Sequence, residues 1–138
     1  MLPSTVARVP RNSPAKANEK IRREMRLRIQ RLKRSGPGAR RLRLSELDRE
    51  WDVERVLEAN ASSLALLGLG LGVFVHRWFL ALPAAVMAFF LQHALQGWCP
   101  PIPLLRRMGI RTSYEIDEER HALMEVRGRD VRDRSRKT

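Results

Sequence analysis

The sequence predicts an all-α fold: a two-span transmembrane helical hairpin flanked by cytoplasmic amphipathic helices. Arg77 is the sole formally charged side chain from Asn60 to Leu105, in a chain of net charge +12 with 27 Lys and Arg and 15 Asp and Glu. Two apolar segments, 61–75 and 78–98, meet at the short polar break His76-Arg77. Trp78 and Trp98 bracket the second segment. Tryptophan favours membrane interfaces, because its ring is apolar while its N–H needs a polar partner.

The chain of 138 residues has room for one domain plus tails. A pI near 11.5 points to an anionic partner, nucleic acid or the acidic face of a bilayer. Cys99 is the only cysteine, which excludes an intrachain disulfide framework and a multi-cysteine zinc site. The opening MLPSTVARVPRNSP contains no apolar signal core, so the insertion signal is expected to be internal.

Residues 1–12 are basic and Pro-containing, and read as a disordered tail. Ser13-Pro14 reads as a helix start, with Ser as N-cap and Pro at the first helical position. A basic amphipathic helix over 13–35 follows, with Ile21, Met25, Ile29 and Leu32 forming a thin apolar stripe. Gly36-Pro37-Gly38 stops it, and 36–44 reads as a linker. Ser45 with Asp48 resembles a capping pair opening an amphipathic juxtamembrane helix over 45–60, which either ends there or runs unbroken into the apolar segment starting at Ala61.

The hairpin proper is 61–98. At 1.5 Å per residue its first segment covers about 23 Å, short of the roughly 30 Å hydrocarbon core, while the second covers about 30 Å. Extension to Ala59 and His76 closes part of the first gap. Pro83 is tolerated in a first helical turn, whose amides have no intrahelical partner. Pro100, Pro101 and Pro103 end the second span, and 99–112 forms a connecting segment. Thr112 with Glu115 predicts a capping box opening a last helix over 113–128, closed by Gly128, before a basic tail at 129–138. Arg40, Arg41, Arg43, Arg49, Arg55, Arg106, Arg107 and Arg111 flank the hairpin on its outer sides, against Arg77 alone in the turn. The positive-inside tendency then puts both termini in the cytoplasm.

Gly97-Trp98-Cys99-Pro100, followed by Leu104-Leu105 and Gly109-Ile110-Arg111-Thr112, resembles the mark of the YgaP-like two-helix transmembrane domain family. The stretches 46–60 and 18–24 are similar to the longer proteobacterial members. The resemblance extends over most of 14–128. It implies a multi-pass protein of the bacterial inner membrane, in a family of largely unknown function. Some relatives carry a rhodanese sulfurtransferase domain before the hairpin. The 59 N-terminal residues of this sequence are too few for one, so sulfur transfer is not implied.

Gly68 and Gly72, four apart on one helix face, let another helix approach closely, either the second span or a second chain in a homo- or hetero-oligomer. Trp51, Trp78 and Trp98 read as interface anchors. Cys99 reads either as a functional thiol or as a small residue packed where the helix ends. His76, His93 and His121 are too scattered for a metal site, and no cofactor or catalytic constellation is indicated. Gln92, His93 and Gln96 are expected to make interhelical hydrogen bonds. Glu115, Asp117, Glu118 and Glu119 read as complements to a helix dipole.

The arginines of the N-terminal helix are expected to meet anionic lipid headgroups. No aromatic interleaves them, so base stacking with nucleic acid is unsupported. The expected role is non-enzymatic membrane interaction or scaffolding. The alternatives are a soluble or peripheral nucleic-acid-binding helical protein, with the apolar hairpin buried, and a thiol-dependent accessory in sulfur or redox handling through Cys99.

Overall fold

The structure, a computed structural model, describes residues 8–136 and contains helices but no strand among them. A short turn α1 (Arg8–Arg11) precedes α2 (Ala15–Arg34), α3 (Pro37–Leu47), α4 (Val53–Phe74), α5 (Ala81–Gln96), α6 (Ile102–Arg107) and α7 (Ser113–Ser135). A 3-10 turn, Arg77–Leu80, leads into α5.

Two regions result. The first is the hairpin of α4 and α5, two helices long and apolar enough to cross a membrane. Its inner faces meet where α4 has no side chains. A Cβ on Gly68 would lie 2.5 Å from Pro83 Cδ, and one on Gly72 would run into Leu80. Both glycines therefore face α5 and the 3-10 turn before it, so close approach of two backbones is their local purpose. Outward, the hairpin is uncovered. Only 17% of the apolar window of α4 is buried, and 6% of that of α5 with its 3-10 turn. The flanking helices do not fold over it.

The second region is a platform of α2, α3, α6 and α7. Ala17, Ile21 and Met25 of α2 turn inward, and α2 packs on α6 and α7. Leu44 and Leu47 of α3 join Ile116 and Leu123 of α7 in one apolar cluster, with Leu32 against it. The two regions share a second cluster at the hairpin base. Val53 and Leu57 of α4 pack there with Val9, Cys99, Ile102 and Leu105. The Val53 amide also donates to the Arg111 carbonyl at 2.9 Å, tying the start of α4 to the platform.

Several boundaries differ from those expected. The linker over 36–44 is largely helix. Gly36-Pro37-Gly38 does end α2, but Pro37 also starts α3 as its first residue, where its missing N–H is no loss. Arg40, Leu44 and Leu47 then recur on one buried face. Ser45 lies inside α3 and caps nothing, so the helix over 45–60 is broken. Asp52 is the real N-cap of α4, its carboxylate accepting from the Arg55 amide at 2.7 Å. From there α4 continues without interruption into the apolar segment.

Ser13 donates to the Val9 carbonyl instead of capping α2, whose N-cap is Pro14. Of the tail expected at 1–12, residues 8–11 form α1, anchored by buried Val9, while 1–7 lie outside the described residues. The 99–112 segment contains α6. Gly128 does not close α7, which runs on to Ser135 and takes in much of the tail expected at 129–138. A lone glycine costs a helix about 1 kcal/mol, too little to stop one already packed along α2 and α3.

Gly97, not the prolines, ends α5. Its φ of +74° is the left-handed conformation that suits glycine, and its amide donates to the His93 carbonyl at 2.7 Å.

Candidate functional site

The junction between hairpin and platform concentrates the chemistry-bearing residues. Arg106 on α6 is fully buried, and its guanidinium forks onto both oxygens of Glu115 at 2.6 and 2.8 Å. It also donates to Asn18 Oδ1 of α2 at 2.8 Å and to the Ile110 carbonyl at 3.2 Å. Glu115 accepts from the Thr112 amide at 2.9 Å, and Thr112 Oγ1 accepts from the Glu115 amide at 3.3 Å. The capping box expected from the sequence is thus present, and its carboxylate also holds the Arg106 charge. A bidentate arginine–carboxylate pair fixes orientation as well as distance, so α2, α6 and α7 meet in one geometry.

A second network centres on Glu119, whose side chain is fully buried. It accepts from Arg43 at 2.8 Å, from Arg28 at 3.2 Å and from Arg111 at short range. Arg111 also forks onto Glu50 through two bonds of 2.7 Å, and Arg43 reaches Glu46 at 2.9 Å. Three arginines therefore face three carboxylates. Burial alone would raise the Glu119 carboxyl; bonds from Arg43 and Arg111 outweigh it and hold the group below the ordinary range. The same balance lowers Glu115, with Arg106 and Thr112 as donors. Arg43 and Arg111 are held protonated more firmly than usual by the same contacts, against the opposing effect of burial.

These pairs change how the basic flanks read. Arg40, Arg43, Arg106 and Arg111, counted from the sequence as cytoplasmic flanking charge, are all committed to carboxylates. The apolar stripe of α2 is likewise consumed inside the platform. What α2 presents outward is charge: Arg22, Arg23 and Arg26 are exposed. Sequence reasoning assigned Glu115 and Glu119 to the helix dipole and missed their partners. The one local signal was the Thr112–Glu115 spacing, which places a carboxylate at a helix start but says nothing of Arg106.

The tryptophans lie at the two ends of the hairpin. Trp78 sits in the 3-10 turn and is 78% exposed. Trp51 and Trp98 flank the base, both exposed, and the Arg55 guanidinium lies 4.5 Å over the Trp51 ring. Cys99 is buried in the apolar cluster at the base, and burial pushes its thiol up. That makes it a poor nucleophile, since the thiolate is the reactive form. An apolar cleft of about 250 Å³ opens beside it, between Leu57, Ala61, Val86, Phe90 and Pro101.

The expected interhelical bonds from α5 do not form. His93 is buried with Nδ1 unpaired, beside the Phe90 ring at 6.4 Å between centroids. The side chains of Gln92 and Gln96 make no hydrogen bond among the described residues. The turn of α1 occupies the base of α5 instead: Arg8 donates to the Ala94 carbonyl at 2.7 Å, and Asn12 to the Gln96 carbonyl at 3.4 Å. Among the described residues no group of three or more His, Cys, Asp or Glu could hold a metal ion.

No protein-family model, curated protein or solved structure matches the chain.

Proposed function

We propose that the chain is a small integral membrane protein whose hairpin spans a bilayer while its platform rests on the cytoplasmic side, in a non-enzymatic interaction or scaffolding role. One observation carries this reading. Leu66, Val73, Phe74, Val75, Leu91 and their neighbours point outward along both hairpin helices and stay exposed. Each such side chain gains about 1.5–3 kcal/mol on leaving water, and the platform offers it no cover. Lipid is the solvent that accommodates them all.

Orientation follows from charge. Arg49, Arg55 and Arg107, which make no ion pair among the described residues, lie on the platform side, against Arg77 at the opposite tip. Anionic headgroups are the partner for them and for the outer face of α2, each nearby cation contributing about 1 kcal/mol. Placement in a bacterial inner membrane and membership of the YgaP-like family belong to the same proposal. They rest on the Gly97–Pro100 and Gly109–Thr112 stretches and their neighbours.

Sequential extraction of membranes tests it. Detergent is expected to release the protein, and high salt or alkaline carbonate to leave it behind. Reporter fusions at Ser13, Arg77 and Thr138 are expected to put the first and last on one side and the middle on the other. Release by salt alone, with a monodisperse protein in plain buffer, contradicts the proposal.

A further inference from the structure

The end of the platform away from the hairpin base holds a cleft that neither ion network uses. It lies between the start of α3 and the last turns of α7, with a volume of about 190 Å³. That is ample for several waters, and for a phosphate group on a small organic body. Arg40, Arg41, Arg127 and Arg134 line it together with one acid, Asp130.

The acid is already taken. Arg40, buried at 6% exposure, bonds Asp130 at short range and also donates to the Lys33 carbonyl at 3.4 Å. Arg41 and Arg127 are exposed and have no ion-pair partner among the described residues, so two guanidiniums border the cleft unneutralised. Helix α3 also starts here. Its N-cap, Gly36, offers no side chain to its orphan amides, and the positive end of its dipole adds to the arginine field. The carbonyl end of α7 opposes with only about half a charge. Pro37 and Val131 give the same cleft an apolar wall.

From this arrangement we infer that the α3–α7 cleft binds a phosphate group carried on a small organic body, with Arg41 and Arg127 as the recognising side chains. Planar guanidiniums match phosphate oxygens two at a time, and the apolar wall receives the carbon skeleton of an ester. A lipid headgroup and a soluble phosphorylated metabolite both present this chemistry. The inference stands apart from the bilayer reading, since it needs only α3 and α7. Loss of phosphate binding leaves extraction behaviour unchanged, and soluble behaviour leaves the cleft intact.

The test is calorimetric titration of the full chain in neutral detergent at fixed low salt, first with inorganic phosphate and then with glycerol phosphate. Saturable binding is expected, at least as tight for the ester. An Arg41→Gln/Arg127→Gln variant is expected to lose about tenfold or more in affinity, as suits two charge-assisted contacts. An Arg23→Gln/Arg26→Gln variant, which removes the same charge from the outer face of α2, is expected to lose less than about twofold, the share of a screened distant field. Arg41→Lys/Arg127→Lys should fall between them, keeping charge without the fork.

Absence of saturation in the parent chain overturns the inference. So does an equal loss in the two glutamine variants, which would mean general charge attraction. All these positions are exposed, and an unchanged helical spectrum confirms that each variant folds. Repeating the titration with a short-chain phosphatidylglycerol identifies the source: tighter binding than glycerol phosphate points to a headgroup, equal binding to a soluble ester.

Discussion

The hairpin and the platform are held together by opposite means. In the hairpin, two apolar helices approach through glycine, and no ion pair joins them among the described residues. In the platform, arginine and glutamate side chains meet in the interior, with Arg106 and Glu119 wholly shielded from solvent. The contrast shows how each region solves its own problem. Between two apolar helices whose outer faces stay uncovered, van der Waals fit at small residues has to hold the pair. The platform can drive its folding by burying apolar surface. It then spends part of that gain on desolvating charges, which define a unique geometry only when every member is paired.

Breaking a charge should therefore damage one region and spare the other. Glu119→Gln leaves Arg28, Arg43 and Arg111 with a diminished partner in the interior. The expected cost is about 3–5 kcal/mol to the platform, the scale for breaking a buried pair. Helical signal in thermal melts should fall in two steps, with the hairpin's share persisting. A single transition shared with the parent chain would mean that the network contributes little.

The converse change is Gly68→Leu. Its Cβ alone would sit 2.5 Å from Pro83 Cδ, so α4 and α5 have to separate. A cost of about 1–3 kcal/mol is expected from overpacking. Distance measurements between labels on α4 and α5 should lengthen while the platform melt stays where it was. Unchanged distances would show that the glycine is not the point of closest approach.

Acid sharpens the comparison most gently. Glu115 and Glu119 titrate below the ordinary carboxylate value of 4.5 in the fold. A group whose folded pKa is depressed contributes stability that is present above the unfolded value and lost as pH falls through the folded one. No change is expected from neutral pH down to about 5, and progressive loss of platform structure below the ordinary carboxylate range of about 4.3. The hairpin carries no carboxylate from Asn60 to Leu105 and should keep its helices throughout. Loss of platform structure beginning well above pH 5 would place the sensitive group elsewhere.

The same contrast explains what could be read in advance. Apolar runs, the His76-Arg77 break and the bracketing indoles are local patterns, so the two helices of the hairpin were legible residue by residue. The Thr112–Glu115 cap was legible for the same reason. The platform's networks join residues far apart in the chain: Arg43 and Glu119 are separated by 76 positions, Arg111 and Glu50 by 61. Nothing in the local sequence distinguishes Arg106, which is buried, from Arg107, which is exposed. Helix α3 was hidden by a different effect. Gly-Pro-Gly is a strong punctuation mark, and its second meaning, the start of a new helix, depends on Leu44 and Leu47 finding α7.

Helix α4 belongs to both regions, and that has a mechanical consequence. Its first turns are clamped in the platform through Val53 and Leu57, while its remaining length, 58–74, runs on as one rigid rod of about 25 Å at 1.5 Å per residue. A rod fixed at one end is a lever: a ten-degree rocking of the platform would sweep the far tip, with Trp78, through about 4 Å. Whatever presses on the platform is thereby felt at the opposite end, without any hinge between.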